Sequence, residues 1–296
     1  MPKRASDEVK AAEQLLSAWL EQHQDAEIIS QAEALPLRRD VETLLRFVRD
    51  NKVVGTQGPG NMPLKAVREV TARFVKPPKL EDKIGSHVFR IRSETDLWPL
   101  YFLRILAEVG GLLKIGSARR WRLTRKGEKF LGTHPMQQLA FLLTTWWYKV
   151  NWLIAYSYTG MGEALPRFFK LFTLDDLLAL PAKTRIPFEE FADALIEKTG
   201  LRWGKQESSF ATTALRGSIA RMVIHILAAF GAIEREYREE PVGKGTTSRL
   251  VAFEITPLGE SLLEAVAIGT RVMLQVTVRK QWAMVNHSRL PSNVLY

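Results

Sequence analysis

The chain has no cysteine. That excludes a disulfide framework, a thiol nucleophile and a thiolate metal site, and it suits a reducing compartment. Histidine is scarce as well. His23, His87, His134, His225 and His287 are too scattered for HExxH or another metal-ligand spacing, so neither a metal nor a cofactor is expected. No Gly-x-Ser-x-Gly nucleophile turn occurs. Long apolar runs are missing too. The nearest, Met136 to Tyr158, is broken by Gln137, Gln138, Lys149 and Asn151 before the roughly 20 apolar residues of a membrane span. It reads as a buried helix, with Leu139, Leu143, Trp146, Val150 and Leu153 on one face. Its aromatics, Trp146, Trp147, Tyr148, Trp152, Tyr156 and Tyr158, are expected in a core rather than on a base-stacking platform. No apolar run follows the basic amino terminus, so no secretory signal or membrane association is expected, and the cytoplasm is the expected location. Acidic residues end at Glu264, while Arg271, Arg279, Lys280 and Arg289 follow.

What is present is enough for a packed core: 296 residues, 46% hydrophobic and 25% charged. Against 32 Asp and Glu stand 42 Lys and Arg, a formal charge of +10, which points to a polyanionic partner. Apolar positions recur mostly at three and four residues, so the fold is expected to be mainly α. Helices are predicted from Ser6 to Gln22, from Leu37 to Asn51 and from Pro63 to Phe74, with a short strand at Val53 and Val54. Between about Thr133 and Gly200 only helices are predicted, one of them capped by Thr173 ahead of Asp175 and Asp176. GTQGPG, from Gly55, lacks the Lys-Ser or Lys-Thr of a phosphate-binding loop.

One pattern occurs twice. Ile105, Leu106, Ala107, Gly110 and Leu112 match Ile226, Leu227, Ala228, Gly231 and Ile233, each 121 positions later. Leu123, Thr124, Gly127, Glu128 and Leu131 match Ile255, Thr256, Gly259, Glu260 and Leu263, each 132 positions later, which leaves 11 extra residues in the second copy. Each copy reads as a glycine-ended helix, a β-ribbon and a helix opened by threonine. Helix, glycine, strand, polar hairpin, strand, Thr-x-x-Gly and helix together resemble the winged-helix domains of bacterial transcription regulators. The resemblance implies two such units, at 35–132 and 185–268, flanked by an N-terminal helix in 1–34, a Trp-rich helical region in 133–184 and a basic extension in 269–296. It also implies that the helix before the glycine enters a DNA major groove and that the hairpin meets the backbone. More locally, the stretch from Leu44 to Val70 is similar to a helical region of plasmid-borne bacterial proteins, from which no function follows.

The candidate contacts follow from charge. In the first copy, Arg119, Arg120, Arg122, Arg125 and Lys126 crowd the short wing. Trp121 among them either stacks on an unpaired base or is the inward residue of an alternating strand. In the second, Arg216 and Thr213 are placed for phosphates, Ser218, Arg221 and His225 for an exposed helix face, and Lys244 and Arg249 on the wing. The same helix face can equally be a solvated one. The first copy's equivalents of Gly217, Ser218 and Arg221 would be Asp96, Leu97 and Leu100, a face suited to another part of the chain or a second subunit. The C-terminal extension suits a strand or a dimer-forming arm. The expected function is therefore non-enzymatic binding of nucleic acid, above all duplex DNA, by a bacterial regulator or a plasmid- or defence-associated factor. The alternative is a protein-interaction module, or a homodimer, built on degenerate winged helices.

Overall fold

The computed structural model describes residues 15, 18–57, 60–84, 87–155, 165–203, 209–243 and 245–269. Within them the protein is mainly helical with small antiparallel sheets. The start of the helix predicted from Ser6, the last two tyrosines of the aromatic stretch, Lys244 and the basic C-terminal extension lie outside the described residues.

Trp19, in a helical turn over 18–22, is buried, and its indole N–H donates to the Ser261 carbonyl at 3.1 Å. Asp25 then caps a helix that the apolar periodicity did not announce, α1 (Ala26–Ala34), by accepting from the N–H groups of Glu27 and Ile28. Next is α2 (Pro36–Asp50), opened by proline and burying Leu44, Leu45 and Val48. Buried Arg38 locks α2 to its surroundings through Ala32 O, Glu42 and Gln138.

Two stretches then follow one plan. In the first, α2 leads to Val54, which bridges Arg120, then to α3 (Leu64–Thr71), α4 (Trp98–Val109), β3 (Leu113–Ile115) and β4 (Trp121–Leu123), and finally α5 (Arg125–Leu131). A hairpin of β1 (Glu81–Ile84) and β2 (His87–Arg90) is inserted before α4. After α6 (Pro135–Tyr148) and α7 (Trp152–Ala155), the plan repeats with α8 (Phe169–Ala179), β5 (Ile186–Pro187) and α9 (Phe188–Thr199). Residues 209–229 are then helical throughout, as α10 (Ser209–Ile219), a single π turn (Ala220–Ile224) and α11 (His225–Ala229). The ribbon β6 (Ile233–Val242) and β7 (Gly245–Ile255) follows, and α12 spans 257–269. The short strand β5 lies in the stretch expected to be purely helical. Thr173 sits inside α8, bonding back to the Phe169 carbonyl, and therefore does not cap it.

The two copies align one residue differently from the sequence match. Gly111 and Gly231 are the left-handed residues, at φ 73° and 66°, and Thr124 and Thr256 donate to their carbonyls at 2.7 and 2.6 Å. Leu100, Phe102, Leu103, Leu106 and Ala107 are buried, and so are Ala220, Met222, Val223, Ile226 and Leu227, each 120 positions on. The extra length in the second ribbon is thus 12 residues, because Leu113 pairs with Leu123 and Ile233 with Ile255. Even the third strand keeps register. Arg120 faces Val54, and Ala252, 132 positions later, faces Pro187.

The core between the units is aromatic. Trp146, Trp147 and Trp152 are fully buried; Trp146 stacks on Trp152 at 5.5 Å, and Phe102 of α4 meets Trp146 edge-on at 5.3 Å. The helix expected to run through here breaks between Tyr148 and Trp152. Lys170 lies over the Trp152 ring at 4.6 Å and donates to the Val150 carbonyl at 2.8 Å, and burial lowers its pKa from 10.5 to about 8. The unfolded chain therefore binds more protons than the folded one above pH 8, and stability is expected to rise with pH from there. The rise should end near pH ~10, where Tyr148, held neutral by burial, starts to ionise only in the unfolded chain. Denaturant titrations between pH ~8 and ~10 should show this rise in the native protein and a smaller one in Lys170→Met; a flat native profile would contradict it.

Candidate nucleic-acid interface

In the β3–β4 ribbon, alternation decides which residues meet water. Ile115 pairs with Trp121 on the inner face, and Trp121 is buried; its indole N–H donates to Gly60 O at 2.9 Å and the Arg104 guanidinium lies 5.1 Å from its ring centre. The base-stacking reading of Trp121 is thereby excluded, since neither ring face is available. The glycine-rich loop is consumed in holding it. Gly55 N–H donates to Arg119 O, and Met62 N–H donates at 2.6 Å to the fully buried Glu94, whose carboxyl burial pushes up in pKa although Arg104 lies beside it.

On the outer face, Lys114 sits directly opposite Arg122, and both are exposed. Like charges across a strand pair destabilise a ribbon by a few tenths of a kcal/mol up to ~1 kcal/mol, a cost that a bound anion removes. The ribbon's turn places Ala118 and Arg119 in the left-handed region, at φ 58° and 57°, a conformation that costs about 1 kcal/mol or more for each side-chain-bearing residue. Arg119, Arg120, Arg122 and Arg125 are exposed, and among the described residues none of their guanidinium groups meets a carboxylate. Lys126 is committed elsewhere, its ammonium 4.3 Å from the centre of the Phe141 ring with burial lowering its pKa. The C-terminal end of α2, packed beside this ribbon, adds exposed Arg46 and Lys52, while Arg49 pairs with Asp50 at 2.7 Å.

The second unit is different. Arg216 is clamped by Asp193 (2.7 Å) and Glu189 (3.2 Å), and Arg249 by Glu240 (3.2 Å) and Glu189. Ser218 is fully buried and bonded to the Ala214 carbonyl, so it has no surface to offer a base. Arg221 and His225 stand in a cleft facing Trp98 and Phe102 of α4 instead of on an open helix face. Desolvation, with Arg235 and Arg221 nearby, lowers the His225 pKa and keeps its imidazole neutral near pH 7.

Comparison of the chain with family models, with curated proteins and with solved structures yields no match in any of the three. The geometry therefore stands alone. It leaves the arginines of the first ribbon exposed and without carboxylate partners among the described residues, and in the second unit it neutralises Arg216 and Arg249 and encloses Arg221 and His225, while Arg235 and Arg238 stay exposed. The corrected alignment also replaces Asp96, Leu97 and Leu100 by Leu97, Trp98 and Tyr101 as the partners of Gly217, Ser218 and Arg221. Leu97 is buried and Trp98 stacks on Phe102 at 5.5 Å, so this face packs within the chain. No described helix is long and apolar enough to cross a membrane. Lys114 and Arg46 were overlooked in the sequence; the Leu-Lys-Ile alternation at 113–115 was the signal for the first.

Proposed function

We propose that this chain is a non-enzymatic winged-helix protein that binds duplex DNA through the ribbon of its first unit. The element order of helix, strand, helix, helix and two-stranded ribbon, repeated with one register, supports the winged-helix reading. A single observation carries the binding reading: four exposed arginines, Arg119, Arg120, Arg122 and Arg125, have no carboxylate partner among the described residues. Clustered exposed charge that no internal carboxylate neutralises raises the local concentration of anions around it. The phosphate backbone supplies a regular row of anions that a ribbon edge can follow. Base reading has little to work with. The helix before each ribbon is either packed inward or holds its arginines in ion pairs or a cleft, so sequence preference is expected to be slight.

Salt dependence tests this. Four phosphate contacts predict a slope of about −3.5 in a plot of log affinity against log salt for B-form DNA. A gel-shift titration of duplex DNA at several salt concentrations should give it. A slope shallower than about −1, or no complex at low salt, would favour the protein-interaction alternative, for which the ion-paired Arg216 and Arg249 of the second unit already speak.

A further inference from the structure

Where α4 and the π turn face each other there is a cleft of about 570 Å³. That volume falls in the range of small-molecule sites, roughly 300–1,000 Å³. Trp98 and Phe102 line it from the first unit, Arg221 and His225 from the helix of the second, and Tyr237 and Leu250 from the long ribbon. Among the described residues no Asp or Glu lines it. Arg221 has no carboxylate partner among the described residues, and its Nε is shut off from solvent without an acceptor. Arg216, one turn earlier on the same helix, has two carboxylates. A guanidinium that has lost water on one side and gained no counter-charge attracts an anion more strongly than a hydrated one does. The backbone departs from α geometry at this same spot, the His225 N–H bonding to Ala220 O, and single π turns inside α-helices concentrate at functional sites.

We propose that this cleft binds a small planar aromatic carboxylate, its carboxylate on Arg221 and its ring against the aromatic wall formed by Trp98 and Phe102. One guanidinium matches one carboxylate in charge and in planar fork geometry. His225, neutral near pH 7, serves as a hydrogen-bonding neighbour. The site owes nothing to the nucleic-acid reading, because its residues are not those of the ribbon edge. Its occupant would touch both units and hold them in one arrangement.

The test uses 1-naphthoate and its neutral analogue 1-naphthamide, titrated calorimetrically into the full chain without nucleic acid. The expected result is saturable 1:1 binding of naphthoate, with the amide at least about tenfold weaker. Arg221→Gln should lower naphthoate affinity at least about tenfold and leave the amide unaffected, with Arg221→Lys in between. Equal binding of amide and carboxylate would overturn the proposal, as would unchanged naphthoate affinity in a folded Arg221→Gln protein or no saturation at millimolar ligand. The amide comparison needs no variant, so it decides the matter even if Arg221→Gln fails to fold. Naphthoate binding that survives charge reversal of the first ribbon would separate this site from the DNA-binding one.

Discussion

Changing Arg119, Arg120 and Arg122 together to glutamate is expected to weaken duplex DNA binding at low salt by about a hundredfold or more, with the unfolding midpoint not lowered. Each substitution removes a phosphate contact and adds a repulsion, and the salt slope should become shallower by about three units. Stability is spared because the three side chains are exposed and hold nothing internal among the described residues. The bridge from Arg120 to Val54 and the bond from Gly55 N–H to Arg119 O are made by the backbone, which glutamate retains. Reversal should act alike on all DNA sequences, as loss of backbone contacts does. Arg216→Ala and Arg249→Ala provide the contrast: both side chains already face carboxylates, so DNA affinity should change less than about threefold. Loss of binding in those two with retention in the triple variant would move the interface to the second unit.

Local chemistry is the part of this fold that the chain spells out. Thr124 and Thr256 open their helices as their Thr-x-x-Gly spacing implies, with hydroxyls accepting from Gly127 and Gly259 at 3.0 and 2.9 Å. The periodicity of Leu139, Leu143 and Trp146 announced a buried stripe, and all three are fully buried. The sequence match places the register between copies one residue away from the structural one, because Gly110 and Gly111 are adjacent and Ile-Leu-Ala recurs in both copies. Only backbone angle separates the two glycines: Gly110 continues the helix at φ −68°, whereas Gly111 is left-handed at 73°. Strand β5 is two residues long and exists through pairing with Phe253 and Ala252, far downstream, so no local pattern could reveal it. The ion-pair partners of two candidate cations are hidden from the sequence for the same reason. Arg216 and Arg249 have the right chemistry for phosphate, but Asp193 and Glu189 reach them from 23 and 60 positions away. Net charge said that cations were in excess; which ones stay unpaired is decided by tertiary contacts.

A second large effect is expected from a single methyl group. The helix after each ribbon begins close against the residue that follows the left-handed glycine, because one threonine hydroxyl both donates to the glycine carbonyl and accepts from the helix N–H. That double bond-making pulls the third helical residue onto the backbone below it. A Cβ at Gly259 would come 1.9 Å from Ala232 O, and one at Gly127 would come 2.4 Å from Leu112 O. Each of these backbone carbonyls already accepts from a threonine N–H, Leu112 O from Thr124 and Ala232 O from Thr256, so neither can step aside as a flexible side chain can. Gly259→Ala is therefore expected to cost about 3 kcal/mol or more, and Gly127→Ala about 2–3 kcal/mol. On the scaling for large domains these would lower the unfolding midpoint by roughly 5–12 °C. Gly132→Ala is the control. It has φ −105° and its nearest neighbour would be 3.7 Å away, so its effect should stay within about 0.5 kcal/mol. Calorimetric scans of the three variants compare them directly. If Gly259→Ala unfolds no earlier than Gly132→Ala, the close approach does not exist in solution, and the shared construction of the two units fails with it.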